Sequence, residues 1–358
     1  MEMKNLFLGM FLLAIAGLGT GCSNDRVVDA SGEKQAISFR VQGGTPTLRA
    51  TGTTIDYVNA FVVNAYGNAS VDPIMNAITV YRMEGTSTSF DYNPKAYFRT
   101  SDTYADFAAY SPVSKHITSG LKDDDTNQIA YDIQVPDPTG ATAQEDLLVA
   151  YTHQTTLTGA PVSLGFRHAL SRVYVTAVNT LSEDVIITSL KLVNLYRSGE
   201  LEINADIENA YESSVSVFSD YKVLWNPTGS QNNTFGYVLP QSGVSVASGT
   251  NTRTYVVSKE QGMLILPQTT LNANDAKVPG GEDDFYLEVM YKLSNTTDIV
   301  KIPFEDITSL TPDADQGLTF EFGRQYALNI NFESTANLVE IKFSVTVEAW
   351  DEPVIEVP

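Results

Sequence analysis

Cys22 is the residue whose chemistry and position are most informative, because it is the single cysteine of the 358-residue chain. It directly follows a Gly-Thr-Gly tripeptide, which is preceded by Lys4 and by an apolar run from Leu6 to Leu18. A basic start, a short apolar run and small residues before a cleavage point are the features of a secretory signal peptide. A thiol at the new N-terminus can carry acyl chains that bind a membrane. We therefore predict a lipoprotein signal peptide over residues 1–21 and lipidation of Cys22.

One departure leaves an alternative to this interpretation. A lipidation signal usually has leucine three residues before the cysteine, whereas this chain has Gly19 there and Leu18 one place earlier. The alternative is an ordinary secreted protein in which Cys22 follows the signal by chance. In both cases the mature chain lies outside the cytoplasmic membrane.

No arrangement of residues in the sequence points to catalysis. The histidines, His116, His153 and His168, form no closely spaced metal-binding pattern, and we expect His168 to be a structural histidine within a strand. No nucleophile elbow, phosphate-binding loop or dinucleotide fingerprint is present. We predict that the protein is not an enzyme and needs no cofactor or metal.

Three acidic groups, at residues 123–125, 282–284 and 313–315, offer oxygen ligands that suit calcium. None of the three has the spacing of an EF-hand loop. We interpret these groups as solvated loops, with calcium binding as the open alternative.

The charge balance excludes one class of partner. The chain has 43 acidic and 22 basic residues, which gives a net charge of −21. Nucleic-acid binding needs basic residues to neutralise phosphates, so we predict no nucleic-acid partner. With a single cysteine the chain forms no internal disulfide, and its many Val, Ile, Thr, Tyr and Phe residues favour a core built from β-sheet.

Arg49 lies in a loop of small residues, Leu48 to Thr54, where a trypsin-like protease would find an extended backbone. Cleavage there would make Ala50 the new N-terminus. Local chemistry alone also allows the alternative of a surface loop that is never cut.

Short apolar runs with turn residues between them, such as Lys95–Phe98, recur along the whole chain and predict the strands of an all-β fold. The first run contains Ile37, Phe39 and Val41 at alternate positions. We expect two β-sandwiches, divided at a Thr-Gly-Ala-Pro break. The predicted organisation is a signal peptide at 1–21, a tether at 22–35, an N-terminal β-sandwich at 36–160 and a C-terminal β-sandwich at 161–358.

The order of several motifs resembles that of the fimbrillin-like proteins of Bacteroidetes, which include the subunits of type V pili. The resemblance covers nearly the whole chain. It depends on the lipoprotein signal, the first strand and the Arg49 loop, and on five further motifs: Phe107–Pro112, Leu164–Arg172, Leu264–Gln268, Gly323–Tyr326 and Val345–Trp350.

This resemblance implies a fold of two tandem transthyretin-like β-sandwiches and a role as a structural or adhesion subunit of a cell-surface fimbria. It implies export as a lipoprotein to the outer membrane, followed by cleavage between Arg49 and Ala50. Loss of the first strand would withdraw Ile37, Phe39 and Val41 from an apolar groove, which a strand of another fimbrial subunit would then fill. Host or bacterial surface ligands are further implied partners.

Two questions stay open at this level. The tail after Trp350 has Val354, Ile355 and Val357 as candidate donor residues between two prolines, so the position as stalk, tip or anchor subunit is not determined. The alternative function is that of a surface lipoprotein that binds glycans through a sandwich face. The aromatic residues available for that function are Tyr92, Tyr97, Tyr104 and Tyr110.

Overall fold

A computed structural model describes most of the chain. The described residues are 36–42, 58–86, 89–113, 117–121, 127–132, 144–203, 215–217, 222–228, 233–269, 285–304, 318–335 and 338–350. They form 25 β-strands, and within these ranges there is no α-helix. Accordingly, none of the described segments forms a helix that could cross a bilayer. The predicted all-β β-sandwich class is confirmed.

An antiparallel six-stranded sheet lies at the centre of the first half of the chain. In spatial order its strands are β10 (Arg167–His168), β8 (Leu148–Gln154), β5 (Ala105–Ser111), β2 (Ala60–Gly67), β3 (Pro73–Arg82) and β4 (Phe90–Asp91). The central strands β2, β5 and β8 are apolar at successive positions rather than at alternate ones. Such runs are typical of strands that are buried on both faces.

A two-stranded parallel sheet covers one face of this sheet. It consists of β1 (Phe39–Gln42) and β9 (Val162–Gly165). Side chains from β1 and β9 share a buried cluster with one alternate set from the six-stranded sheet, which includes Phe61 and Phe107. We call this cluster the smaller core.

The opposite face of the six-stranded sheet contributes Val62, Ala108 and Val149 to a larger core. Four more sheets contain the other strands. One has the order β14 (Val215–Val217), β15 (Lys222–Thr228), β13 (Ser198–Ile203), β7 (Asn127–Asp132) and β6 (Ile117–Leu121). Another contains β18 (Thr250–Val257), β11 (Ser171–Asn179), β24 (Arg324–Thr335) and β25 (Leu338–Ala349), with β19 (Met263–Ile265) also paired to β11.

The next sheet has the order β16 (Asn233–Gly236), β12 (Val185–Leu195), β21 (Tyr286–Leu293) and β22 (Thr296–Pro303), with β17 (Val244–Val246) also on β12. The last is the pair β20 (Gln268–Thr269) and β23 (Thr319–Phe320). Residues from all four of these sheets contribute to the larger core or lie against it. Because β-sheets expose alternate side chains on opposite faces, one continuous core can join several sheets in this way.

The chain passes between the two cores within the motif Leu164–Arg172. Phe166 belongs to the smaller core and Ala169 to the larger one. The backbone N–H of Ala169 donates to the Leu147 carbonyl at 2.7 Å, and its own carbonyl accepts from the Trp225 indole at 2.8 Å. The backbone N–H and the carbonyl of Ala169 are therefore both hydrogen-bonded inside the protein, as buried backbone requires.

A stacked cluster of side chains joins this crossing to the end of β25. Nδ1 of His168 lies 2.6 Å from Oδ2 of Asp146, and both side chains are buried. The imidazole stacks on the Trp350 indole at 3.8 Å and 7°, and the Arg172 guanidinium carbon lies 4.3 Å from the same ring. The backbone N–H of Trp350 donates to the Gly323 carbonyl at 3.1 Å. His168 is thus a hydrogen-bonded structural residue.

The predicted domain limits at 160/161 stay a prediction. The described strands add that β9 and β10, which follow this limit, pair with β1 and β8, which precede it. The pairing of β7 with β13 likewise joins segments from the two sides.

We expect Trp350→Ala to destabilise the protein by about 3–5 kcal/mol, the usual cost of removing a large buried aromatic side chain. Thermal or urea unfolding followed by circular dichroism would measure the loss. Val347→Ala, near the end of β25 and three residues before Trp350, is 36% exposed; it is the matched control and should change stability by about 0.5 kcal/mol. Equal effects of the two substitutions would contradict a role for the indole stack.

Candidate functional site

The first strand fills one side of the smaller core. Ile37 and Phe39 are each only 3% exposed, and Val41 is partly buried against the same cluster. Arg40, between them, is exposed. The alternation of apolar and polar residues along β1 therefore directs every second side chain into the core. The three residues predicted to occupy a groove thus pack in one cluster, and their role in strand exchange stays a prediction.

Phe39 makes the closest aromatic contacts of this strand. Its ring centroid lies 5.6 Å from that of Phe61, 5.8 Å from Tyr92 and 6.0 Å from Phe107, each in an edge-on geometry. Edge-to-face pairs are favourable because the positive ring edge meets the negative ring face. The Phe39 side chain is thus surrounded by aromatic residues of the six-stranded sheet and of the loop after β4.

Backbone hydrogen bonds hold the strand from both sides. In the parallel ladder with β9, Phe39 lies opposite Val162, whose N–H donates to the Ser38 carbonyl at 2.8 Å. On the other side, the Ile37 N–H donates to the Ala96 carbonyl at 2.9 Å. The first strand therefore lies in a slot with hydrogen-bonding groups on both walls.

Tyr92 closes one end of this slot. Its hydroxyl donates to the Ile37 carbonyl at 2.7 Å. Burial raises the pKa of Tyr92 to about 12, so the hydroxyl stays protonated and remains a donor at neutral pH. The sequence analysis did not assign this residue to the groove. The only sequence feature that could have indicated this role is the residue type, because a buried tyrosine usually finds a hydrogen-bond partner.

The second wall of the slot differs from expectation. The sequence indicates a strand over Lys95–Phe98, but this segment is not a strand in the structure. Its described backbone contact to β1 is the single bond from Ile37 to Ala96 rather than a ladder. Phe98 is buried in the smaller core, so the apolar pattern reflects packing and not strand pairing.

Removal of β1 would change both the chemistry and the hydration of this slot. Val162 and Leu164 of β9, which are fully buried, would lose their cover, and one edge of β9 would lose its backbone partners. An unpaired strand edge beside an apolar slot is a template for the addition of another strand. Loss of β1 would therefore leave an apolar slot bordered by an unpaired strand edge.

The other predicted site residues lie outside the described residues. These are the lipidation residue Cys22, the processing pair Arg49 and Ala50, and the candidate donor residues of the tail. The three acidic loops and His116 are also outside the described ranges. Their assignments stay predictions.

The four tyrosines considered for glycan binding do not form one exposed surface. Tyr92 is buried in the smaller core and Tyr110 in the larger one, whereas Tyr104 is 37% exposed. The physical reason is that Tyr92 is needed to cap the first strand and Tyr110 lies on a strand that is covered on both faces. The suggestion that these tyrosines form one exposed cluster for glycans is therefore wrong.

Within the part of the chain that the structure describes, no group of three or more His, Cys, Asp or Glu residues is arranged to hold a metal ion. His153 and His168 each contact one aspartate instead. A His–Asp pair alone is commonly structural.

Comparison with known proteins supports the fold. The chain matches a fimbrial protein from Bacteroides vulgatus with a TM-score of 0.53 and 14% identity, over 89% of this chain and 100% of that one. It matches a candidate cell adhesion protein from Parabacteroides distasonis with a TM-score of 0.51 and 11% identity, over 90% and 98% of the two chains. At such low identity these likenesses establish the fold alone.

Two further comparisons concern the sequence. No curated protein matches the chain. The profile of the family described as fimbrillin-like matches residues 49–350, which is most of the chain and begins at the arginine predicted to be the cleavage point. The groove geometry, the all-β fold and this match lead to one assignment: the chain belongs to the fimbrillin-like family.

Proposed function

We propose that the protein is a fimbrial subunit that is exported as a lipoprotein, cut after Arg49 and assembled by exchange of its first strand. Membership of the fimbrillin-like family supports a structural role in fimbriae and a location at the cell surface. This family is one of fimbrial and adhesion proteins rather than enzymes, and we assign no catalytic residue. Other fimbrial subunits are the partners in the exchange.

The observation that carries this proposal is the placement of β1. Ile37 and Phe39 are each only 3% exposed, yet they belong to β1, a strand of four residues, and to the short segment just before it, at one side of the core. The 15 residues from 43 to 57 separate this strand from the next described part of the chain, and Arg49 lies in the middle of them. A cut there would leave β1 held by non-covalent contacts only.

The free energy gained by burying the β1 side chains is of a size that suits strand exchange. Burial of Ile37, Phe39 and Val41 contributes about 1.5–3 kcal/mol for each side chain. The uncut chain keeps this contribution because the strand is tethered. A donor strand from another subunit would recover it if it placed apolar side chains at the same alternate positions, and this requirement defines the pattern that a partner needs.

Lipidation of Cys22 fits the same sequence of events. The acyl chains would hold the precursor at the outer membrane through residues 22–35, ahead of β1. Cleavage after Arg49 would release the lipid and the first strand together, since both precede the cut. An uncut copy would stay anchored, with its slot already filled.

Incubation of the purified precursor with a trypsin-like protease should give a stable product whose N-terminal residue is Ala50. The folded sheets resist cleavage, and an extended loop does not. Arg49→Gln should abolish this product in N-terminal sequencing and mass spectrometry. Arg253→Gln, which changes an exposed arginine within β18, is the matched control and should leave the product unchanged. Degradation to small fragments would argue against strand removal.

A synthetic peptide of residues 35–43 should bind the cut product and raise its melting temperature, because a ligand that binds the folded state alone stabilises it. The protease is inactivated before the peptide is added. A peptide with Phe39→Asp should have no effect, whereas one with Arg40→Ser should act like the native peptide because Arg40 is exposed. If the Asp peptide raised the melting temperature as much as the native one, the groove assignment would be wrong.

Cys22→Ala should abolish labelling of the protein with a radioactive or clickable fatty acid in cells, because the variant lacks the thiol that would be acylated. Asp25→Ala, which changes the tether and keeps the thiol, should be labelled normally. Unchanged labelling of Cys22→Ala would contradict the lipoprotein assignment.

A further inference from the structure

A cavity of about 320 Å³ opens at one end of the six-stranded sheet. Its walls include Tyr66, Tyr104, Asp106 and Tyr151, with Ile203 at the end of β13. The volume is at the lower end of the range of roughly 300–1,000 Å³ that is typical of small-molecule sites. The cavity is thus large enough for a small ligand.

Strand register explains why these side chains meet. Tyr66 on β2 lies opposite Asp106 on β5, and Asp106 lies opposite His153 on β8. Residues in such a row share one face of the sheet, with neighbouring Cβ atoms about 5 Å apart. Further along the same face, Val62 and Val149 are buried in the larger core. The face therefore changes from apolar to polar and aromatic at the strand ends, where its cover stops.

Hydrogen bonds fix the polar groups of the cavity. The Tyr151 hydroxyl donates to Oδ1 of Asp106 at 2.6 Å, and Nδ1 of His153 lies 2.7 Å from the same oxygen. Burial and this hydrogen bond raise the pKa of Tyr151, so it stays a neutral donor. Asp106 lines the cavity, and within the described part of the chain both of these bonds go to its Oδ1, which leaves Oδ2 for a ligand. His153 lies behind this carboxylate and holds it in place.

The aromatic part of the site is partly exposed. The Tyr104 ring is 37% exposed and packs on the His153 imidazole at a centroid distance of 4.8 Å. A tyrosine ring that is held by one neighbour and open on its outer side offers a flat apolar surface beside the polar groups.

The loop that forms the rim is held in place. The Asn68 side-chain oxygen accepts from the backbone N–H groups of Thr103 and Tyr104, at 2.7 and 3.2 Å. The Ala69 N–H donates to buried Asp102 at 2.9 Å. A Cβ at Gly67 would lie 2.1 Å from this carboxylate, so glycine allows the close approach. The rim and the Tyr104 backbone are therefore ordered before a ligand binds, which lowers the entropic cost of binding.

We propose that this cavity binds a neutral sugar unit. A pyranose has a C–H face that suits the Tyr104 ring and hydroxyls that can donate to Oδ2 of Asp106. Hydrogen bonds to a carboxylate are among the stronger polar contacts. A single carboxylate is too few oxygen ligands for calcium, and the same carboxylate repels an anionic sugar.

This site is independent of the proposed strand exchange. Ile37 and Phe39 pack on one face of the six-stranded sheet, in the smaller core, whereas Asp106 and Tyr151 lie on the other face. Removal of the first strand leaves the cavity walls in place. Failure of either proposal would leave the other intact.

Saturation-transfer NMR on the intact protein would test the site with four probes: methyl mannoside, methyl galactoside, N-acetylglucosamine and, as the anionic comparison, glucuronate. We expect transfer to ring protons of at least one neutral probe, with a Kd of about 1 mM or tighter, and weaker transfer to glucuronate. Absence of transfer to all three neutral probes, or binding of glucuronate alone, would overturn the proposal.

Three variants then locate the binding. Tyr104→Ala should weaken it about tenfold through loss of stacking, and Asp106→Asn should weaken it at least about tenfold while keeping an acceptor for Tyr151. Tyr81→Ala removes an exposed tyrosine at the opposite end of the same sheet and should leave the Kd unchanged. Circular dichroism confirms that each variant is folded. Native affinity in both cavity variants, or an equal loss in Tyr81→Ala, would contradict the site.

Discussion

Burial of the six-stranded sheet on both faces is the constraint on which the other features depend. Its central strands carry apolar side chains at successive positions, so water must be excluded from each face by another layer. The larger core covers one face with strands from several sheets. The other face is covered in part by β1 and β9, a pair of four-residue strands. A large buried face thus depends on a small, separable cover.

This unequal cover accounts for both functional regions. On the side of the smaller core, β1 is short and precedes Arg49, the predicted cleavage point, and the proposed strand exchange depends on this placement. On the opposite side the cover is extensive but stops short of the sheet end that contains the last residues of β2 and β8 and the first residues of β5. Tyr66 and Asp106 line the cavity at that uncovered end, where we propose that a sugar binds. One sheet therefore separates the assembly groove from the ligand cavity.

Some of this organisation was predictable from local sequence. Ile37, Phe39 and Val41 were correctly predicted to share one face because alternation in a strand is a local property. The segment Lys95–Phe98 was wrongly predicted as a strand, since its apolar residues serve packing and its backbone makes only one bond to β1. The motif Leu164–Arg172 was notable by resemblance, but its crossing between the cores, with His168 against Asp146 and Trp350, depends on segments far apart in the chain.

The sequence by itself determined the all-β class and the inward residues of the first strand, and it predicts an export signal that ends at Cys22 and a processing point at Arg49. These properties depend on composition and on neighbours within a few residues. Only the tertiary structure decided that Tyr92 caps the slot, that Tyr110 is buried and that Tyr104 lines a cavity with Asp106 and Tyr151. Register between distant strands brings those residues together, and no local pattern encodes that register.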